Sequence, residues 1–138
     1  MPYVSTGKRM ASMYLGGNDT FCDNAASYSA SRCAAASKVS KTHEYFREYA
    51  STHSLNGWHG AGECLATANA GETGKSIVNR WWDDKGHADL GHRKALNEPG
   101  MRVCGVKTSY NASNGTYYVS MVYAGDSVGH GGTGGSKL

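Results

Sequence analysis

The sequence predicts an α+β fold, in which helices come first and a β-hairpin comes last. Apolar residues recur at helical spacing in residues 41–49 and 73–84, which is typical of helices with one buried face. Residues 101–110 and 116–123 instead alternate strictly between two faces, which is typical of strands. The Asn114-Gly115 pair between them favours a tight turn, because this pair readily adopts positive φ angles. Helices packed on a late hairpin indicate an α+β sandwich.

Length and composition limit the classes of function. A chain of 138 residues with 39% hydrophobic residues and 19 glycines is one loop-rich domain. We assign residues 1–125 to the domain and residues 126–138 to a flexible Gly-rich tail. The net charge of +3 comes without any long run of Lys or Arg, so no nucleic-acid partner is expected. No segment reaches 18 apolar residues, so no transmembrane segment is expected either. We also expect the protein to be a monomer.

The first half of the chain predicts two helices and a loop. Residues 21–38 are mostly Ala and Ser, which suits a helix that packs closely through small side chains, with Asp23 or Asn24 as its cap. Residues 41–49 form the second helix. Residues 55–62 contain three glycines and are expected to form a loop.

The second half of the chain predicts a capped helix and a short helical turn before the hairpin. Thr73 is the candidate N-cap for residues 73–84, in which two tryptophans supply a large apolar surface. Residues 91–96 form a helical turn that ends before Pro99, because the residue before a proline disfavours the α conformation.

The chain has four cysteines, and their spacing matches no zinc finger or ribbon. An even number in a small chain favours two disulfides and an extracytoplasmic setting, with reduced cysteines in a cytosolic protein as the alternative. Three connectivities are possible, of which we favour Cys22–Cys33 and Cys64–Cys104. The first pairing requires a break in the helix of residues 21–38, since eleven helical residues span about 16 Å.

Two histidines and two acidic positions mark the candidate site. His53 and His92 lie in separate segments, with Glu63 between them and an acid at Asp84 or Asp83. Imidazoles and carboxylates bind divalent metals or move protons, so their convergence on one cleft would form a functional site. A plainer interpretation is that His53, at the end of a helix, only caps backbone carbonyls.

Several short motifs in a fixed order resemble the CAP superfamily, the cysteine-rich secretory, antigen 5 and pathogenesis-related 1 proteins that share the SCP domain. The resemblance covers roughly residues 53–125. It rests on these motifs, in order along the chain: His53-Ser54, Gly62-Glu63-Cys64-Leu65-Ala66, Arg80-Trp81-Trp82-Asp83-Asp84, Gly91-His92-Arg93 and Val103-Cys104-Gly105-Val106. The Gly-His-Arg motif is similar to that of bacterial members.

The resemblance implies a three-layer α-β-α sandwich with a cleft tetrad of His53, Glu63, Asp84 and His92. It also implies secretion, and zinc or magnesium held by the two histidines. The family's other functions are sterol or fatty-acid binding, immune modulation and antimicrobial action. The chain departs from the pattern in three ways: Cys64 replaces an Asn, the second acid is Asp rather than Glu, and the first family helix is not evident. His87, which also follows a glycine, competes with His92.

Three functions follow as hypotheses. The first is a secreted binding module whose cleft holds a divalent ion and takes a lipid, a glycan or a protein. The second is a metal-assisted hydrolase, a peptidase or esterase, in which zinc-bound water attacks and Glu63 is the general base. The third is a structural domain or antigen with a vestigial tetrad.

Overall fold

Helices lie on both faces of one antiparallel sheet in the computed structural model, which describes residues 19–84, 91–96, 98 and 100–126. The elements in chain order are α1 (Thr20–Ala36), α2 (Glu44–Thr52), β1 (Gly60–Ala68), α3 (Gly74–Asp83), α4 (Gly91–Leu96), β2 (Met101–Asn111) and β3 (Thr116–Gly125). The strand order is β1-β3-β2, so β3 lies in the centre. The predicted α+β class with three α-β-α layers is confirmed.

Each face of the sheet has its own core, because neighbouring side chains of a strand point to opposite faces. The face toward α3 and α4 carries a cluster of large apolar side chains that includes Cys64, Trp81, Leu96, Met121 and Tyr123. The face toward α1 and α2 carries a second cluster that includes Phe21, Ala25, Phe46, Ala61 and Val122. Successive side chains of β1 therefore point alternately toward α3 and α4 on one face of the sheet and toward α1 and α2 on the other.

Helix α1 lies unusually close to β2, as its small side chains suggested. A Cβ atom added at Gly105 would lie 2.6 Å from the backbone nitrogen of Asp23, which no real Cβ tolerates. At the other end of the helix, the Asn111 side chain donates a hydrogen bond of 2.7 Å to the Ala34 carbonyl. Glycine at position 105 is thus what permits the packing of α1 on the sheet.

Most predicted elements agree with the structure within a few residues. The Thr73 hydroxyl accepts a hydrogen bond of 3.1 Å from the Ser76 amide and caps α3, as expected. Strand β1 was not predicted, because its glycines and alanines have low strand propensity. Its extended conformation comes from pairing with β3 along its whole length, from Gly60 to Ala68.

Both predicted disulfides are wrong in this structure, where all four cysteines are free. Cys22 and Cys33 lie in the unbroken helix α1, so about 16 Å separates them along the axis. Cys64 pairs with Met121, and Cys104 pairs with Tyr123, so β3 lies between the two cysteines and they are at least two strand spacings, or about 9.5 Å, apart. Neither distance is compatible with a disulfide.

Among the helices described, none is both long and apolar enough to cross a membrane. The predicted division between a domain of residues 1–125 and a tail of residues 126–138 stays a prediction, because residues 127–138 lie outside the described part of the chain.

Candidate functional site

Asp84 and His92 form a buried acid–histidine pair at the junction of α3 and α4. His92 Nδ1 lies 2.8 Å from Asp84 Oδ1, and the backbone amide of His92 donates a hydrogen bond of 2.7 Å to Asp84 Oδ2. The Asp84 side chain is completely buried, and that of His92 is 10% exposed. The carboxylate thus fixes both the imidazole ring and the start of α4.

Asp84 reaches this position because α3 ends there with a left-handed residue. Its φ angle is 52°, and its amide donates to the Arg80 carbonyl at 2.9 Å, which closes the last turn of α3. The carboxylate then faces the following helix, where the Arg93 amide also donates to it at 3.3 Å. An acid near the amide groups at the start of a helix is electrostatically favourable.

An open cleft of about 410 Å³ lies beside this pair. Its lining comes from the edge strand β1, from α3 and from α4: Leu65, Ala66, Arg80, Trp81, Asp83, Asp84 and His92. Trp81 and His92 stack on each other in this lining, with ring centroids 6.4 Å apart. The Trp81 indole donates a hydrogen bond of 2.8 Å to the Leu65 carbonyl and so anchors α3 to β1.

Glu63 forms a second buried pair, with a histidine that the sequence did not single out. His43 Nδ1 lies 2.7 Å from Glu63 Oε1, and the Ser120 hydroxyl donates a hydrogen bond of 2.6 Å to Glu63 Oε2. The His43 and Glu63 side chains are 2% and 0% exposed. Both oxygens of the buried carboxylate are therefore partnered, which its burial requires.

The two pairs lie in different layers of the fold. Glu63 contacts Ser120 and His43, on the sheet face that carries α1 and α2. The next residue, Cys64, points to the other face, where it packs in the cluster that contains Trp81. The structure therefore brings Asp84 and His92 together but does not bring Glu63 to them.

His53 is the main correction to the predicted tetrad. It follows the last turn of α2, is exposed, and stacks on Tyr49 with ring centroids 3.7 Å apart. Its Nδ1 lies 3.0 Å from the Tyr49 carbonyl, so it has the capping position of the plainer interpretation. The buried side chain beside Glu63 is that of His43, at the opposite end of the same helix.

No signal in the sequence identified His43. It occurs among polar residues just before the second helix, where it occupies the N-cap position of α2 with a φ angle of 57°. Only the packing of α2 against the sheet places it beside Glu63. The rival acid Asp83 is exposed but lines the cleft, whereas His87 lies outside the described residues.

The metal expected from the resemblance requires two imidazoles within reach of one ion. The part of the chain that the structure describes contains no group of three or more His, Cys, Asp or Glu side chains that could hold a metal. His53 and His92 do not form such a group. The Asp84–His92 hydrogen bond is the kind of support that metal-bound histidines receive, but one histidine and its carboxylate do not make a two-histidine site.

The cysteines offer no reactive thiol beside the site. Cys64 is fully buried next to Glu63, and burial, more than the charges of Glu63 and Asp84, raises the pKa of its thiol well above the ordinary value. Burial likewise raises the pKa of the Cys104 thiol. Protonated thiols are poor nucleophiles and poor metal ligands.

Comparison with known proteins agrees with this architecture. A family model described as "CAP: Cysteine-rich secretory protein family" matches residues 10–123. Among solved structures, an outer surface protein from Borrelia burgdorferi is similar with a TM-score of 0.58 and 14% sequence identity, over 85% of this chain and 84% of that chain. At this identity the likeness shows the fold alone. No curated protein matches the sequence.

Proposed function

Because the chain belongs to the CAP family, the Cysteine-rich secretory protein family, we propose that it is a binding module that works at the cell surface or outside the cell. Its ligand binds in the cleft between β1, α3 and α4. The family's name and the fold shared with an outer surface protein support the location. The cysteines do not contribute to this argument, since they form no disulfides.

One observation carries the proposal: His92, held by Asp84 and backed by Trp81, lines an open cleft. A buried imidazole whose orientation is fixed on one side by a carboxylate is preorganised for contact with a ligand. Preorganisation lowers the entropy lost on binding, because the ring has no alternative orientation to give up.

The lining of the cleft favours a ligand that carries hydroxyl groups. The exposed carboxylate of Asp83 accepts hydrogen bonds, and Ala66 and Trp81 add apolar surface. A hydroxyl group both donates and accepts, so it matches such a mixed lining, and both sterols and glycans present hydroxyl groups on an apolar frame. A fatty-acid carboxylate fits less well, because it would meet the like charge of the exposed Asp83. The Arg80 guanidinium also lines the cleft, but it already donates to Glu72 and to the Thr67 carbonyl.

The other expectations receive less support. Zinc or magnesium stays a prediction, and His92 is the one histidine among the described residues that lines this cleft. The hydrolase alternative needed zinc held by His53 and His92, with Glu63 beside the zinc-bound water as general base. In the described part of the chain, His53 lies on Tyr49, Glu63 is paired with His43 and His92 is paired with Asp84. We therefore do not propose hydrolysis.

Titration calorimetry with three defined probes tests the proposal: cholesterol delivered in cyclodextrin, an N-acetylglucosamine tetramer and palmitate. We expect binding of one of the hydroxylated probes. Asp83→Asn, which keeps the shape of the cleft, should weaken that binding about tenfold, as expected for loss of a charged acceptor. Asp126→Asn removes an exposed acid beyond the end of β3 and serves as the matched control.

The outcomes separate clearly. Equal loss of affinity in both variants would indicate a general charge effect rather than a cleft contact. Binding of palmitate alone, or affinity that Asp83→Asn leaves unchanged, would contradict a hydroxyl-binding site in this cleft.

A further inference from the structure

The outer half of β2 exposes apolar side chains on one face. Val106 is 49% exposed and Tyr110 is 52% exposed, although both are large apolar residues in a regular strand. They alternate with Lys107 and Ser109, so they share a face with Thr108 between them. Tyr110 also packs on Tyr117 of β3, with ring centroids 4.7 Å apart.

Among the described residues, the core beneath α3 and α4 lies over β1, β3 and the start of β2, where it includes Met101 and Cys104, and it does not extend to the outer half of β2. Val106 pairs with Met121, and Thr108 pairs with Val119, and both partners on β3 belong to that core. Val106, Thr108 and Tyr110 share its face of the sheet but do not belong to it. In the described part of the chain, β2 also pairs with β3 alone, so it forms an edge of the sheet.

We propose that β2 pairs with β2 of a second copy of this chain, antiparallel about a two-fold axis at Thr108. In that register Val106 lies opposite Tyr110 of the second copy, and the reverse pair forms by symmetry. Pairs of a β-branched and an aromatic residue directly opposite each other are among the favourable cross-strand pairs. The two exposed apolar residues of this strand thus cover each other, and the two sheets join into one of six strands.

The charges of the strand agree with this register. Lys107 lies opposite Ser109 of the second copy, so no like charges face each other directly. An axis at Lys107 would place the two lysines opposite each other, which is destabilising. An axis at Ser109 would place Val106 opposite Ala112, in the turn beyond the strand, and so remove its aromatic partner. Of these three registers, only the axis at Thr108 pairs Val106 with Tyr110 and keeps the two lysines apart.

The proposed interface is small, because only one strand and its flanks are buried in it. Association should therefore be weak and dependent on concentration. This dimer would replace the monomer expected from the sequence.

Cross-linking at the symmetry axis is the sharpest test. Residues directly opposite in an antiparallel pair have Cα atoms about 4.5–5.5 Å apart, which is within disulfide reach. Thr108→Cys should therefore form a covalent dimer under mild oxidation of the full chain. Ser113→Cys, at the exposed tip of the hairpin, is the matched control and should not, and the native chain gives the background from its own cysteines.

Sedimentation velocity provides the second readout. The native chain should show a dimer fraction that rises with concentration, and Val106→Lys or Tyr110→Lys should abolish it. Ala70→Lys adds the same charge in an exposed turn before α3 and should leave the dimer intact. A chain that stays monomeric at every concentration would overturn the proposal. The proposal would also be overturned if Ser113→Cys formed as much covalent dimer as Thr108→Cys. A dimer that persists in both Val106→Lys and Tyr110→Lys would overturn it as well.

Discussion

Two histidines at opposite ends of α2 differ completely in environment. His43 is buried beside Glu63, whereas His53 is exposed and lies on Tyr49. The sequence favoured His53, because it is followed by Ser54 and precedes the Gly-Glu motif. The choice could not be made correctly from the sequence, since burial at position 43 depends on where α2 packs on the sheet.

The difference predicts unequal effects on stability. His43→Ala should cost roughly 3 kcal/mol, because it leaves the buried Glu63 carboxylate without its histidine partner. His53→Ala should cost less than about 0.5 kcal/mol, as is usual for exposed positions. Urea denaturation of both variants measures the two values. A His53→Ala loss as large as that of His43→Ala would refute the assignment.

The cysteines give a second prediction at the scale of single residues. Cys22, Cys33 and Cys64 are buried, and burial raises the pKa of each thiol, so they should react slowly with a thiol reagent in the native protein. Cys104 is only partly buried and should react first.

The number of thiols is the check on this prediction. Ellman titration of the denatured protein without reductant should find all four cysteines of the sequence. A count of two would indicate one disulfide and a count of zero would indicate two, and either would contradict the free cysteines of this structure.

Single elements differ in how far the sequence predicted them. Helix α3 was predicted with its cap, because Thr73 and the spacing of its apolar residues are local signals. Strand β1 was missed, because its small residues carry no strand preference and the strand forms only by pairing with β3. The sequence motif therefore identified Glu63 as a candidate site residue but did not predict strand β1, which determines the direction of its side chain.

Packing between α1 and β2 predicts a large effect of a small substitution. Gly105→Ala should destabilise the protein by roughly 1–3 kcal/mol, because the new methyl group would meet backbone atoms of Cys22 and Asp23. Gly74→Ala, at the start of α3, meets nothing within 4 Å and serves as the control. Thermal and urea unfolding should show a loss for the first variant and little change or a small gain for the second.

At the scale of the whole molecule, the sheet separates two acid–histidine pairs. Motifs in the sequence identified Glu63, Asp84 and His92 but predicted one shared cleft. Alternation along β1 assigns Glu63 to the layer of α1 and α2, and the junction of α3 and α4 assigns Asp84 and His92 to the other. The family and the fold class could be predicted from the order of the motifs along the chain. The separation of Glu63 from Asp84 and His92 could not, because it depends on the register of β1 in the sheet.

Proton NMR of the histidine side chains tests the central claim most directly, because His43, His53 and His92 report on three different places in one spectrum. When the probe that binds is added, we expect the ring signals of His92 to shift, while those of His43 and His53 stay within experimental error. Movement of the His43 signals with His92 unchanged would place the ligand on the Glu63 side of the sheet and contradict the account.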